Sequence, residues 1–287
     1  MSWVWQACGG GGGGGAPSTR VPALQSNIAA NPALAMWALD AEASLSTTNG
    51  ADRSGNGRVL TTSGAYSFPD IIPGSMASIM WQQPSGSSFG SAFGPSAAYA
   101  ALQLKGEMSV TLRAMSSVWP FANNNQVSWT YFQYLVNCGN GDDATAAGNV
   151  QWSIGIGSAA GGNAGKLYYY AENGVHAGLS FQSQLRLKSP QSGSLGKDGM
   201  WHFVALRRTA AGVVTIDVDE SSETSGALAL PTSGTNARIY IGRPPYNFTS
   251  GSPDTGFLGS VKDVAVWPVR LTDAQILTQR KQMMGIP

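Results

Sequence analysis

Short alternating apolar stretches, each closed by a cluster of turn formers, constrain the fold of this chain more than any other feature. They recur at Ala77–Gln82, Tyr99–Leu104, Ser109–Met115, Val127–Val136, Val150–Ile156, Leu167–Tyr170, His202–Leu206, Val213–Val218, Arg238–Ile241 and Ser260–Trp267. Between them stand Asn123-Asn124-Asn125, Gly139-Asn140-Gly141-Asp142 and Ala210-Ala211-Gly212, which turn the chain rather than extend it. About ten or more short antiparallel strands over some 250 residues predict an all-β fold, a two-sheet antiparallel sandwich or jelly roll. In Val213–Asp219 the alternation predicts a core face of Val214, Ile216 and Val218 and a wet face of Thr215, Asp217 and Asp219. Tyr168-Tyr169-Tyr170 must likewise send at least one ring to each side of its strand.

Only the C-terminus predicts a helix. Thr272-Asp273-Ala274-Gln275 reads as a capping box. Ile276, Leu277, Arg280, Met283 and Met284 then mark one face, and Gly285 and Pro287 stop the helix.

The N-terminus is of another kind. Trp3, Val4 and Trp5 form an apolar tip, followed by an unbroken glycine run from Gly9 to Gly15. Glycine cannot bury apolar surface and loses much entropy on ordering, so the run alone reads as a flexible tether. A tether tipped by two tryptophans also reads as an arm that orders on docking. The expected division is a Gly-rich arm over residues 1–35 and a β-sandwich domain over residues 36–287.

Composition removes several function classes. Charged residues are 11% of the 287, against roughly 25% in an ordinary soluble protein, and the net charge is +1. No basic field exists to hold nucleic acid or anionic lipid, and no apolar run is long enough for membrane insertion. Met1-Ser2-Trp3-Val4-Trp5 lacks the basic start and long apolar core of a signal peptide. Two histidines and two cysteines exclude a His/Cys metal cage and a disulfide framework, so Cys8 and Cys138 read as free thiols.

An ordered series of motifs resembles a known family. Trp201-His202-Phe203-Val204-Ala205-Leu206 resembles a "W-H-x-v-A-l" strand, and Gly212–Asp219 the strand that follows it and usually ends in Asp-Gly. Arg238-Ile239-Tyr240-Ile241-Gly242 resembles "l-x-I-G", Phe257–Trp267 resembles "F-x-G-x-i-d-d-v-a-v-w", and Leu271–Ile276 resembles "L-s-d-a-e-I". Upstream, Asp52-Arg53-Ser54-Gly55-Asn56-Gly57 resembles a "D-x-S-G-N-G" turn. Together, over roughly residues 36–284, they resemble a laminin G-like domain of the concanavalin A-like lectin/glucanase superfamily. Asp219-Glu220 departs from Asp-Gly, which predicts a longer hairpin; residues 83–98 and 158–164 match nothing in the family.

The resemblance implies a curved jelly roll used to bind carbohydrate or protein. Some β-glucanases of the superfamily carry E-x-D-x-x-E on one strand. The nearest match, Thr215-Ile216-Asp217-Val218-Asp219-Glu220, has threonine at the nucleophile position and two solvated aspartates, so no catalytic residue is expected. Many such domains hold one calcium ion at the rim, and Asp142, Asp143 and Asn236 sit at matching places, although Asn-Gly-Asp is also an ordinary turn. For carbohydrate, Trp119, Tyr246 and Asn247 fall in loop-like sequence where binding residues concentrate. Trp37, Trp81, Trp152 and Trp267 lie in apolar strands and are expected in the core. His202 is expected to be structural.

A lectin-like sandwich without an export signal suggests release by lysis as part of a particle. The expectation is therefore a bacteriophage virion structural protein, a tail adhesin or head decoration, that binds host-surface glycan. Trp3 and Trp5 would dock the arm on other virion proteins, and a homo-oligomer would add avidity. A glycan-degrading enzyme of the same superfamily and a purely structural capsid or tail cement remain the alternatives.

Overall fold

The computed structural model describes residues 32–37, 52–63, 79–80, 91–93, 100–116, 133–139, 150–157, 165–173, 178–187, 201–232, 238–242 and 259–286. Among them are the strands β1 (Ala35–Trp37), β2 (Thr61–Ser63), β3 (Ile79–Met80), β4 (Ser91–Phe93), β5 (Met108–Ser116), β6 (Gln133–Gly139) and β7 (Val150–Ile156). They continue with β8 (Lys166–Glu172), β9 (Gly178–Arg186), β10 (His202–Arg208), β11 (Val213–Val218), β12 (Ser221–Ala227), β13 (Arg238–Ile241) and β14 (Gly259–Trp267), before helix α1 (Asp273–Met284).

The strands form two antiparallel sheets, as the alternation predicts. The first runs β1-β14-β5-β10-β11-β12, with β3 also paired to β14; the second runs β2-β4-β13-β6-β7-β8-β9. Their facing sides bury one apolar cluster that includes Trp37, Val110, Leu112, Trp152, Ile154, Tyr169, Val204, Leu206, Ile216 and Val266. Trp37, Trp152 and Trp267 are all buried, as expected; Trp81 lies outside the described residues. Cys138 is also in the core as a free thiol, and burial pushes its pKa up; Cys8 lies outside the described residues.

A second cluster lies on the outer face of the first sheet. Met36, Phe203, Ala205, Ala265 and Trp267 pack there with Leu271, Ile276 and Met283. This explains why β10 is buried along its whole length: one face meets the second sheet and the other meets α1. The predicted capping box forms. Thr272 Oγ1 accepts from Gln275 N, and Gln275 Oε1 accepts from Thr272 N. Gly285 ends the helix at φ 69°, a left-handed position that suits glycine. The buried face differs from the predicted one, because Leu277 is 44% exposed while Gln279 is fully buried between Ile276 and Met283.

The Asp52–Gly57 turn is a clasp on the first strand. Asp52 Oδ1 accepts from Met36 N and Ser54 N, and Oδ2 accepts from Arg58 N. Asn56 Nδ2 donates to the carbonyls of Ala33 and Leu34, and Trp37 Nε1 donates to Arg58 O. A short carboxylate can satisfy three backbone donors only if the chain folds tightly around it, which the glycines at 55 (φ 84°) and 57 (φ 68°) permit.

Three further expectations need correction, and one stretch without a family counterpart proves to be paired. Within Tyr99–Leu104 the structure has a 3-10 turn at Ala100–Leu102 instead of a strand, because Leu102 O must face inward to accept from Trp152 Nε1. The Asp219-Glu220 hairpin is a two-residue turn, with Val218 paired to Ser221 and Asp219 at φ 52°. Asparagine and aspartate tolerate that conformation better than most residues. Ser91–Phe93, inside a stretch with no family counterpart, pairs with β2 and β13. The face of Thr215 and Asp217 is buried, not wet. Residues 127–132 of the predicted Val127–Val136 strand lie outside the described residues.

Candidate binding face

On the buried side of β11, Asp217 is enclosed in a hydrogen-bond network. Asp217 is 4% exposed and takes a two-pronged contact from Arg207, with Nε to Oδ2 at 2.9 Å and Nη2 to Oδ1 at 2.8 Å. Ser222 Oγ donates to the same Oδ1 at 2.6 Å. Arg207 also meets Leu271 O and Asp273 at the start of α1. Asp219 accepts from Phe203 N at 3.0 Å and contacts His202 Nδ1 at 2.7 Å, so His202 is a buried link between β10 and the hairpin. Thr215 Oγ1 is paired with Thr224 Oγ1 at 3.1 Å. A cleft of about 240 Å³ opens between this hairpin and α1, lined by Asp219, Glu220, Asp273 and Arg280 among others.

The Arg207 guanidinium holds the Asp273 carboxyl below its ordinary value of 3.8. A carboxyl lowered on folding stabilises the native state above its unfolded pKa and loses that contribution as pH falls through the folded value. Asp273 is 89% exposed, so the contribution is small and screened by salt. Asp273→Asn should lower the melting temperature slightly at neutral pH, with the gap to wild type closing as pH falls below 3.8 in a thermal titration.

The second sheet presents a different outer face. In β8, Leu167, Tyr169 and Ala171 enter the core, so Lys166, Tyr168, Tyr170 and Glu172 face outward. The register sets Tyr168 opposite Gln182 and Gly155, Tyr170 opposite Ser180 and Ser153, and Lys166 opposite Arg186. Ser153 in turn stands opposite Asn137, and Asn137 opposite Tyr240. Two half-buried tyrosine rings thus stand beside a covered stretch of the sheet, where Ser153 and Asn137 are fully buried and Ser153 Oγ donates to Tyr170 O at 2.8 Å. Tyr170 is fixed: its OH donates to Glu172 Oε1 at 2.9 Å, and Glu172 Oε2 accepts from Val150 N at 3.0 Å. Burial pushes the Tyr168 phenol up, so it is a neutral hydrogen-bonding group at physiological pH.

The alternation rule placed the tyrosines correctly, but Lys166, Gln182 and Arg186 were missed. For Gln182 and Arg186 the signal is present in Gly178–Arg186, where Ser180 and Gln182 alternate with Leu179 and Phe181. The carbohydrate candidates Trp119, Tyr246 and Asn247 lie outside the described residues. So do the calcium candidates Asp142, Asp143 and Asn236 and the anchoring Trp3 and Trp5. Among the described residues no group of three or more His, Cys, Asp or Glu side chains is placed to hold a metal ion, and no helix is long and apolar enough to cross a membrane.

Residues 164–267, about a third of the chain and running from the turn before β8 through β14, match the laminin G domain. The part of the sandwich from β8 to β14 is laminin G-like. No match was found among curated proteins. Among solved structures the sandwich is similar to botulinum neurotoxin type C, whose cell entry is dependent upon interaction with two ganglioside molecules. The TM-score is 0.59 at 14% identity, over 90% of this chain and 53% of that one. It is also similar to the binding domain of botulinum neurotoxin DC in complex with SialylT (TM-score 0.55, 13% identity, 88% and 52% covered). The botulinum neurotoxin type G receptor-binding domain is a third (TM-score 0.53, 16% identity, 88% and 51% covered). At such identities the likeness is one of fold, and the chain spans about half the length of each of these structures.

Proposed function

We propose that this chain is a virion structural protein, a phage tail adhesin or head decoration, which displays its laminin G-like sandwich to bind host-surface carbohydrate without catalysing a reaction. The observation that carries the binding reading is the half-buried tyrosine pair Tyr168 and Tyr170 on the outer face of β8, with Gln182 and exposed Ser180 opposite on β9. Flat rings with polar tips stack on the apolar faces of sugars, and neighbouring amides and hydroxyls read their hydroxyl groups. The neurotoxin structures of the same fold add support, since one is a complex with SialylT and another concerns cell entry dependent on interaction with two ganglioside molecules. The non-catalytic part is supported by the full engagement of Asp217 by Arg207 and Ser222.

Support for the virion comes from composition: charge of only 11%, and a glycine run at residues 9–15 behind Trp3 and Trp5, suited to docking an arm on other particle proteins in a homo-oligomer. Calcium held by Asp142, Asp143 and Asn236 is part of the proposal.

The test is titration of the full chain against a panel of oligosaccharides, in calcium and in EDTA. Tyr168→Ala should weaken binding about tenfold or more, as expected for loss of a stacking ring. A variant that binds every sugar as wild type does would remove this face from the function. Gold-labelled antibody on particles from a lysate checks the second half. Label at a tail locus or over the head is expected, and protein found only in the soluble fraction would end the virion reading.

A further inference from the structure

We propose that Gly178 is a positioning residue of the tyrosine face: the side chain it lacks makes room for the Tyr170 ring to lie across β9. The inference rests on the glycan-binding reading and deepens it, by assigning the residue that sets one of the two rings. Gly178 pairs with Glu172, and Ser180 with Tyr170, so Gly178 is the diagonal neighbour of Tyr170 on the next strand. The ring fills the place of the missing side chain. A Cβ added at Gly178 would lie 2.8 Å from Tyr170 Cε2, 3.3 Å from its hydroxyl oxygen and 3.4 Å from Cζ. The first of these is well inside the contact distance of two unbonded carbons.

Nothing else calls for glycine at this position. Gly178 is not among the glycines of positive φ, so its backbone conformation is open to any L residue. It is exposed and lies in a strand, where glycine is otherwise a weakening choice and marks the close approach of another group. The ring is held at its other end as well. Tyr170 OH donates to Glu172 Oε1 at 2.9 Å, and Glu172, which is buried, accepts from Val150 N at 3.0 Å through Oε2. A side chain at 178 must therefore push the ring aside or break its hydroxyl bond to a buried carboxylate. A stacking ring binds well when it is already in the bound orientation, so moving it weakens binding although no contacting atom is removed.

The experiment is a double-mutant cycle between Gly178 and Tyr170 in the full chain. It reads melting temperature and affinity for cellohexaose, maltohexaose, galactan, polygalacturonate and dextran sulfate. Gly178→Ala should lower the melting temperature and weaken binding of the sugar preferred by wild type about fivefold or more, the scale of one aromatic contact. In the Tyr170→Ala background the same substitution should leave affinity unchanged and raise the melting temperature, because alanine at a compatible backbone position restricts the unfolded chain. A purely local strand effect would keep one sign in both backgrounds. Wild-type affinity in Gly178→Ala or in Tyr170→Ala, or a loss that persists in full without the ring, overturns the positioning role and leaves the glycan reading to Tyr168. Failure of the wild-type chain to bind any of the five overturns both.

Discussion

Asp217→Ala should lower the unfolding free energy by about 3–5 kcal/mol, the loss typical of a buried ion pair stripped of one partner. The loss is large because Arg207 is itself buried, and its Nε and Nη2 donate to that carboxylate. Without it the guanidinium keeps only Asp273, at the exposed start of α1, and Leu271 O. Ser222 on the edge strand β12 also loses its acceptor, so β11, β12 and the helix are loosened together. Asp217→Asn retains one acceptor oxygen and should cost less, about 1–3 kcal/mol. Denaturant midpoints for the two variants measure this directly. The same pair of variants separates a structural aspartate from a catalytic one. If Asp217→Ala kept wild-type stability while abolishing cleavage of a polysaccharide, the glycan-degrading alternative would replace the binding reading.

How far the sequence reveals this molecule depends on which interaction decides each element. Alternation decides a strand with one face in the core, and Tyr168-Tyr169-Tyr170 sorted as the pleat requires, with Tyr169 inward. Local backbone chemistry decides the capping box at Thr272 and the left-handed stop at Gly285, so both were legible. The buried outer face of β11 was not. Thr215 and Asp217 look like wet residues, and they are buried because a helix some fifty residues later brings Asp273 onto Arg207. Nothing within the strand records that covering. The edge strand β12, Ser221–Ala227, is almost wholly exposed and polar, so its place was set by pairing with β11 and by Glu223 accepting from Ser183 Oγ and Gln184 N on β9. At the candidate face, tyrosines are visible in a sequence, but the opposition of Lys166 to Arg186 is a matter of register. A one-residue slip would put Arg186 on the other side.

The second large effect is expected at Trp152. Trp152→Ala should cost about 3–5 kcal/mol, since a fully buried aromatic side chain is removed from a core whose surroundings relax only in part. The position is demanding for a reason the sequence did not show. Trp152 lies inside the sandwich on β7, and its Nε1 donates to Leu102 O at 2.9 Å, which ties the 3-10 turn ahead of β5 to the second sheet. Two terms therefore add: lost packing, and one of the two hydrogen bonds to Leu102 O, which keeps only Leu104 N as donor. Trp152→Phe separates them, because it keeps much of the apolar volume and removes only the donor. Its cost should exceed the ordinary volume penalty by about 1 kcal/mol, the net worth of one buried hydrogen bond. In urea titrations both variants should shift the midpoint at an unchanged slope, the sign that stability and not compactness has changed. Tyr168 and Tyr170 lie on the opposite face of the sheet from Trp152, so folded Trp152→Phe should bind sugar as wild type does. Loss of sugar binding in that folded variant would mean that the face is shaped through the core, and Tyr168→Ala could then no longer be interpreted as the loss of a contact.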